Sequence, residues 1–167
     1  NGDGYADVGY ASSATAWVHH GGASGTSSAA STTVTYPRAA SADTLSAAGD
    51  VDGDGRDDVL IGQPVEPEYG TSSALLHMGA SAGLSSTAVT TLSGLATGTF
   101  FGSAVGMAGD VNKDGFQDVI VGAYGTSSNR GAAYVYLGNC VDGDGDGFCP
   151  PNDCDDADNK TFPGSAE

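Results

Sequence analysis

Short apolar runs recur along the chain and are separated by turns rich in glycine and serine. DVLIG (58–62) and DVIVG (118–122) begin sixty residues apart, and AWVHHG (16–21), ALLHMG (74–79) and AYVYLG (133–138) recur in the same phase. These runs are short and rich in β-branched or aromatic residues, and no stretch shows helical periodicity. The pattern therefore predicts an all-β fold built from a repeated set of antiparallel strands.

Two further elements complete the repeat. STTVTY (31–36) and STAVTTL (86–92) predict a fourth strand, whereas ADTLSAAGD (42–50) and GSAVGMAGD (102–110) predict a first strand. Four antiparallel strands at a period of 40–60 residues are typical of a β-propeller blade. The sequence therefore predicts about three blades over residues 1–139, and a sandwich or barrel of repeated hairpins is the alternative.

The predicted blade set is incomplete. The first unit begins inside a loop and lacks its first strand, and the third lacks an obvious fourth strand. Propellers need at least four blades, and unpaired strand edges invite pairing. We therefore expect either that the chain is part of a longer one or that neighbouring subunits complete its open edges.

An acidic, glycine-containing loop precedes the second strand of each unit. The loops are NGDGYADVGY (1–10), DVDGDGRDDVLIG (50–62) and DVNKDGFQDVIVG (110–122), here called loops 1, 2 and 3. In a D-x-[DN]-x-D-G sequence, alternate side chains turn towards one centre, and hard oxygen ligands suit Ca²⁺. An EF-hand needs an acid at position 12, where these loops carry Ile61 and Val121; the acid comes at position 9 instead.

The predicted ligands are the alternate side chains of each loop and the carbonyl at position 7. They are Asn1, Asp3, the Tyr5 carbonyl and Asp7 in loop 1; Asp50, Asp52, Asp54, the Arg56 carbonyl and Asp58 in loop 2; and Asp110, Asn112, Asp114, the Phe116 carbonyl and Asp118 in loop 3. A metal-free turn is the alternative, because Asp and Asn also bond their own backbone in turns. Mg²⁺ fits less well, since it keeps waters and strict octahedral geometry.

The composition and charge of the chain argue against several classes of function. The formal net charge is −16 with only five basic residues, which gives no electrostatic attraction to nucleic acid or to an anionic membrane. No run is apolar and long enough to span a bilayer. Ten of the 21 carboxylates lie in the three loops and seven more are aspartates of the tail, a clustering that indicates bound cations. The compact apolar runs argue against a disordered acidic chain.

The third unit resembles the FG-GAP repeat of integrin α chains and of many secreted bacterial proteins. Phe101-Gly102 supplies the FG, Gly122-Ala123-Tyr124 stands where the family has Gly-Ala-Pro, and the acidic loop lies between them. The second unit has Gly62-Gln63-Pro64 but no FG. The resemblance covers about residues 1–139. It implies a propeller with Ca²⁺ in its loops, in an extracellular or cell-surface setting.

The tail, residues 140–167, has no strand pattern and is predicted to be a separate calcium-binding segment. Its candidate ligands are Asp142, Asp144, Asp146, the Phe148 carbonyl, Asp153, Asp155, Asp156 and Asp158. The segment resembles thrombospondin type three repeats and, more closely, an aspartate-rich motif of secreted bacterial proteins. Cys149 and Cys154 are close enough for a local disulfide, which leaves Cys140 free or paired elsewhere. A zinc site and a flexible acidic linker are the alternatives.

No enzyme is predicted. GASAG (79–83) matches the G-x-S-x-G motif, but that motif needs a strand-to-helix turn, and Ser81 is predicted to lie between two strands. We expect a calcium-binding, non-catalytic adhesion or interaction module. Its partner is expected to be a protein or glycan at the cell surface, or other copies of itself. A structural subunit of a surface layer or filament, and an accessory domain of a secreted hydrolase, are the alternatives.

Overall fold

The computed structural model describes residues 1–12, 14–36, 44–88, 90–93 and 96–139. This part of the chain is nearly all β and forms antiparallel sheets, so the predicted fold class is confirmed. The strands are β1 (Val8–Ser12), β2 (Thr15–His19), β3 (Thr32–Thr35), β4 (Thr44–Gly49), β5 (Asp58–Gln63), β6 (Ser73–His77), β7 (Gly79–Ala80), β8 (Gly83–Leu84), β9 (Thr90–Ser93), β10 (Phe101–Gly109), β11 (Asp118–Ala123) and β12 (Ala132–Tyr136).

The strands form three main sheets, which we call blades 1, 2 and 3. Blade 1 has the order β1-β2-β3, blade 2 has β4-β5-β6-β9, and blade 3 has β10-β11-β12. Strands β7 and β8 form a small separate hairpin. Within the described ranges, blade 1 lacks the strand equivalent to β4 and blade 3 lacks the strand equivalent to β9. Both gaps agree with the repeat pattern.

The three blades share one register. In each blade, the second and third residues after the position-9 aspartate pair with equivalent residues of the following strand. The third-residue pairs are Tyr10 with Trp17, Ile61 with Leu75 and Val121 with Tyr134. The second residue after the aspartate forms the pairs Gly9 with Val18, Leu60 with Leu76 and Ile120 with Val135.

These two sets of pairs lie on opposite faces because side chains alternate along a strand. The face that carries Ile61 and Leu75 is called the front face, and the face that carries Leu60 and Leu76 is called the back face. The back face of blade 1 packs against the front face of blade 2 in a core of Ala16, Val34, Tyr36, Ile61 and Leu75. The back face of blade 2 packs against blade 3 in a core of Ala48, Val51, Leu60, Ala74, Leu76, Phe101, Val119, Val121 and Ala123.

The FG pair sits at the second of these contacts. Phe101 is buried and packs its ring against Tyr134, with 5.6 Å between ring centroids. Gly102 has φ +85°, and a Cβ there would lie 2.5 Å from the Ser73 carbonyl of blade 2. A Cβ at Gly62 would collide with the Gly102 carbonyl. The motif glycines therefore let two neighbouring blades approach through their backbones.

The structure differs from the sequence expectation at the last strand of blade 2. STAVTTL predicts a strand from residue 86, whereas β9 begins at Thr90. The preceding residues form a turn in which Ser85 N–H donates to the Met78 carbonyl and the Ser85 hydroxyl donates to the Thr87 carbonyl. These side-chain and turn bonds compete with the sheet ladder and delay the strand.

Helical structure in the described residues amounts to two short turns. They are a 3₁₀ turn at Pro67–Tyr69 and a four-residue turn at Thr126–Asn129, in which Ser127 and Ser128 have positive φ. Neither turn is long or apolar enough to cross a membrane, and the same holds for every helix in the described ranges.

Candidate metal centre

The three acidic loops fold by the same set of local hydrogen bonds. The side-chain oxygen of the position-3 residue accepts from the backbone N–H of position 5 at 3.2 Å in every loop. The position-5 aspartate then accepts from the N–H of position 7, at 2.9 Å for Tyr5, 2.8 Å for Arg56 and 3.0 Å for Phe116. Each loop thus folds through the same pair of turns, in which alternate side chains accept bonds from the backbone two residues further on.

The position-9 aspartate joins each loop to the end of a strand further along the chain. Its Oδ1 atom accepts a 2.8 Å bond from a glycine N–H in all three blades. The pairs are Asp7 with Gly21, Asp58 with Gly79, and Asp118 with Gly138. The Oδ2 atoms of Asp58 and Asp118 accept from Val51 and Val111 at 2.8 and 2.7 Å. We call the aspartate and its glycine the Asp–Gly joint.

Glycine is needed at this joint because no side chain fits there. A Cβ at Gly79 would lie 2.6 Å from the Asp57 carbonyl, and Cβ atoms at Gly21 and Gly138 would collide with the equivalent carbonyls of Ala6 and Gln117. No role for these glycines was predicted from the sequence. Their signal was visible in the runs AWVHHG, ALLHMG and AYVYLG, each of which ends on one of them.

Loop 2 brings three predicted ligands together. Oxygen atoms of Asp50, Asp52 and Asp58 all lie within 4.8 Å of one another. Asp58 is fully buried, and the buried Oδ1 atom of Asp50 has no hydrogen-bond partner in the described part of the chain. Asp54 is not one of this group, and its Oδ2 pairs with Arg56 Nη1 at 2.8 Å. Clustered hard oxygens with one unpartnered buried oxygen fit a calcium ion.

Loop 3 repeats part of this arrangement, with Asn112 in place of Asp52, but the Oδ1 atom of Asp110 accepts a 3.1 Å bond from Asp114 N–H. Gly115 N–H donates to Asp110 Oδ2 at 3.0 Å, as Gly55 N–H does to Asp50 Oδ2 at 2.9 Å. Asn112 Nδ2 donates to Asp114 Oδ2 at 2.6 Å, so these two side chains are turned towards each other. The described part of loop 1 contains Asn1, Asp3 and Asp7, and Asn1 Nδ2 bonds Asp3 in the same way at 3.0 Å.

Burial sets the electrostatics of loop 2. Loss of solvent raises the pKa of Asp58 to about 6, although the N–H groups of Gly79 and Val51 oppose this shift. Burial also raises the pKa of Asp52. In loop 1 the exposed Asp3 behaves differently, because the Tyr5 N–H bond lowers its pKa. A raised carboxyl pKa shows that the metal-free fold disfavours the ionised form, which a cation would restore.

The raised pKa of Asp58 predicts how the calcium-free protein responds to pH. Its folded-state pKa lies above its unfolded value, so folding takes up a proton between about pH 4 and 6 and stability falls as pH rises through that window. The Asp58 contribution is on the order of 3 kcal/mol at most. Urea unfolding at several pH values in calcium-free buffer, for wild type and Asp58→Asn, measures it. The free energy of unfolding of the wild type should fall more steeply with pH than that of Asp58→Asn. Parallel curves would contradict a raised pKa for Asp58.

Loops 2 and 3 are joined directly. The Asp50 carbonyl accepts a 3.0 Å bond from the N–H of Gln117, which precedes the joint aspartate Asp118. Loops 1 and 2 face each other across a cleft of about 560 Å³, whose lining includes Asp7, Arg56 and His20. The described acidic loops thus lie side by side along one rim of the blade stack.

The other residues singled out in the sequence are Ser81, two histidines and the tail. Ser81 is exposed in the turn between β7 and β8, so it lacks the strand-to-helix geometry that G-x-S-x-G requires. His19 and His77 occupy equivalent strand positions, and each ring Nδ1 lies 3.0 Å from a serine carbonyl, that of Ser27 or Ser85. The tail ligands from Asp142 to Asp158 and the three cysteines lie outside the described residues.

Stacked antiparallel blades, each with an aspartate-rich loop before its second strand, define the class of FG-GAP-type propeller repeats. Comparison with known families agrees: residues 1–61 match the FG-GAP-like repeat and residues 101–136 match the FG-GAP repeat. The chain thus carries FG-GAP repeats, which supports that part of the resemblance.

Integrin alpha subunits are among the relatives of this chain. Mouse integrin alpha-IIb is 38% identical over 100 residues, which cover 53% of this chain and 10% of that protein. Chicken integrin alpha-V is 34% identical over 101 residues, covering 55% and 10%. Integrin alpha pat-2 of Caenorhabditis elegans is 33% identical over 109 residues, covering 56% and 9%. The chain spans about a tenth of the length of these relatives.

Proposed function

We propose that this chain is a calcium-binding, non-catalytic interaction module that acts outside the cytoplasm. The observation that carries the proposal is the oxygen cluster of Asp50, Asp52 and Asp58, with its unpartnered buried Asp50 Oδ1 atom. The likeness to integrin alpha chains supports an adhesion or interaction role at a cell surface, with a protein or glycan partner. That last step rests on family likeness and not on a described binding site.

The chain's own residues would hold the ions in three shells. Loop 2 offers Asp50, Asp52, Asp54, the Arg56 carbonyl and Asp58; loop 3 offers Asp110, Asn112, Asp114, the Phe116 carbonyl and Asp118; loop 1 offers Asn1, Asp3, the Tyr5 carbonyl and Asp7. The ligands of residues 140–167 form a separate proposed tail segment beyond the blades of residues 1–139. When bound, Ca²⁺ supplies positive charge that neutralises these carboxylates.

The role of the sites in this proposal is structural. The position-9 aspartate already ties its loop to the residue that follows the second strand after the loop, through the Asp–Gly joint. A shell closed around the same aspartate would fix the loop on both sides and offset the desolvation of its charge. Extracellular modules bind Ca²⁺ at about 0.1–1 mM, so an extracellular calcium level would fill such sites.

Thermal unfolding with and without calcium tests the proposal. With about 10 mM CaCl₂, each filled site should raise Tm by roughly 3–11 °C relative to chelated protein. Mg²⁺ at the same concentration should give a smaller shift. Asp52→Ala should lose the part of the calcium-dependent rise in Tm that comes from loop 2. Asp57→Ala is the matched control, because it removes the same charge from the same loop at an exposed position outside the predicted shell. An equal Tm in calcium and chelator would sink the proposal.

A further inference from the structure

We propose that loops 2 and 3 bind calcium with positive cooperativity, because two hydrogen-bonded peptide groups connect their predicted shells. The N–H of Gln117 is the positioning group in this connection. The inference rests on the proposed function, since it concerns how the same two sites influence each other. Both loops lie wholly within the described residues.

The connection begins at the buried carboxylate of loop 2. Asp58 Oδ2 accepts a 2.8 Å bond from Val51 N–H. The carbonyl of the same peptide group, that of Asp50, accepts a 3.0 Å bond from Gln117 N–H of loop 3. The carbonyl in the peptide group of Gln117 belongs to Phe116, a predicted ligand of loop 3. Two peptide groups therefore connect a predicted ligand of one loop with a predicted ligand of the other.

The connection fixes a direction as well as a distance. A peptide group is planar and almost always trans, so its N–H and its C=O point in opposite directions. The bond from Gln117 N–H therefore directs the Phe116 carbonyl away from the Asp50 carbonyl. A displacement of Asp50 must either break this bond or change the orientation of a carbonyl that loop 3 would offer to an ion.

Close packing restricts the same region. Gly49 has φ +75°, and a Cβ there would lie 2.7 Å from Gln117 Cγ and 2.8 Å from Met107 Sδ. A Cβ at Gly138 would lie 2.8 Å from the Val51 carbonyl and would collide with the Gln117 carbonyl. Val51 is buried in the core between blades 2 and 3. Because close-packed groups transmit strain, the two loops have little room to move independently.

Ordering of the backbone gives the coupling its positive sign. Asp50 contributes a side chain to the predicted shell of loop 2 and a carbonyl to the bond with Gln117. Filling loop 2 would fix both groups, so loop 3 would have less backbone to order when it binds. The converse holds by thermodynamic reciprocity. Coupled sites typically change each other's affinity by about 5–150-fold, and we expect about 5–20-fold because a single hydrogen bond joins the loops.

Charge acts in the opposite direction. Five aspartates and Arg56 give loop 2 a formal charge of −4, and the loop would carry −2 with one calcium ion bound. A filled loop 2 therefore attracts a second cation less strongly than an empty one. This effect is screened over about 8 Å at 0.15 M salt, whereas the hydrogen-bonded contact is direct. The net coupling should therefore be positive at physiological salt.

Calcium titration of the full 167-residue chain by two-dimensional amide NMR, at about 0.15 M NaCl, tests the coupling. The amides of Gly55 and Gly115 report the two loops separately, since they donate to the position-1 aspartates of loops 2 and 3. Asp52→Ala disables loop 2 and Asp114→Ala disables loop 3, so each variant gives the binding constant of the other loop alone. The wild-type constant for filling both loops should exceed the product of these two constants by about 5–20-fold.

Asp57→Ala is the matched control for Asp52→Ala. It removes the same charge from loop 2 at an exposed position outside the predicted shell, and it leaves that loop able to bind. The Gly115 titration curve of Asp57→Ala should therefore stay close to that of the wild type. Charge alone would not weaken loop 3 in Asp52→Ala, because the empty variant loop carries −3 and the filled wild-type loop carries −2.

Amide hydrogen exchange gives a second measurement, which reports the positioning of Gln117 directly. In Asp114→Ala, calcium can fill loop 2 but not loop 3. Exchange of the Gln117 N–H should nevertheless slow when calcium is added. The slowing should be several-fold greater than that of the Gly125 N–H, which bonds the Thr99 carbonyl at 3.0 Å beyond the other end of β11.

Each outcome decides the proposal. A wild-type constant above the product, together with slower Gln117 exchange in Asp114→Ala, supports the coupling. A constant equal to or below the product overturns it even where both loops bind, and so does unchanged Gln117 exchange. If neither Gly55 nor Gly115 responded to calcium, the proposed function would fail and this inference with it, so the two failures are distinguishable.

Discussion

Gly79→Ala is expected to lower the free energy of unfolding by about 2–4 kcal/mol. The added Cβ would lie 2.6 Å from the Asp57 carbonyl, so the strand end must move away from loop 2. That movement breaks the 2.8 Å bond from Gly79 N–H to Asp58 Oδ1. Asp58 is fully buried, and its charge would lose one of its two backbone donors. Overpacking and loss of a charged hydrogen bond therefore act together.

Urea unfolding in calcium-free buffer measures this effect without any contribution from a metal. Gly106→Ala is the matched control, because Gly106 also lies in a strand but its added Cβ would meet only Ile120 Cγ2, at 3.7 Å. The control should change stability by less than about 1 kcal/mol, in either direction. Equal stabilities for the two variants would show that the Asp–Gly joint contributes little to the free energy of unfolding.

Asp118→Ala should cost about 3–5 kcal/mol even in calcium-free buffer. Asp118 is fully buried and accepts bonds from Val111 N–H at 2.7 Å and Gly138 N–H at 2.8 Å. The alanine variant leaves both donors without an acceptor. The loss should appear in urea unfolding of the chelated protein, because neither bond requires an ion.

Asp114→Ala separates this structural effect from metal binding. Asp114 is exposed, and it accepts bonds within its own loop from Phe116 and Asn112. Its removal should cost less than about 1 kcal/mol in chelator, as for an exposed hydrogen bond. The calcium titration of Asp114→Ala should nevertheless lose the loop 3 site. If Asp118→Ala were as mild as Asp114→Ala in chelator, the joint would depend on calcium and our account of it would be wrong.

Much of the fold could be predicted because its signals are local. The short β-branched and aromatic runs and the sixty-residue repeat indicated the blades, and equivalent positions such as Leu75 and Tyr134 share one register. The start of β9 was missed because Ser85 bonds to its own turn, and this competition cannot be read from strand propensity alone. The Val and Thr content of residues 86–92 indicated a longer strand than the turn permits.

The site was less predictable where its contacts are distant in sequence. Alternate acids suggested the shell of loop 2, but the sequence did not indicate that Asp54 pairs with Arg56. The glycine partners of the position-9 aspartates lie 14 to 21 residues further along the chain. Only the paired sheet brings such residues together. The bond from Gln117 to the Asp50 carbonyl has the same origin, since it crosses between two blades.

Because of the Asp–Gly joint, a blade can keep its fold even where its metal ligands have changed. Its bonds use the position-9 carboxylate and backbone groups, whereas the side chains of the other loop acids take no part in them. A blade can therefore exchange Asp52 for the asparagine found at 112 and keep the same attachment. Searches for distant blades of this type should score the aspartate together with its later glycine. Such a search would recover degenerate blades that a pattern of metal ligands misses.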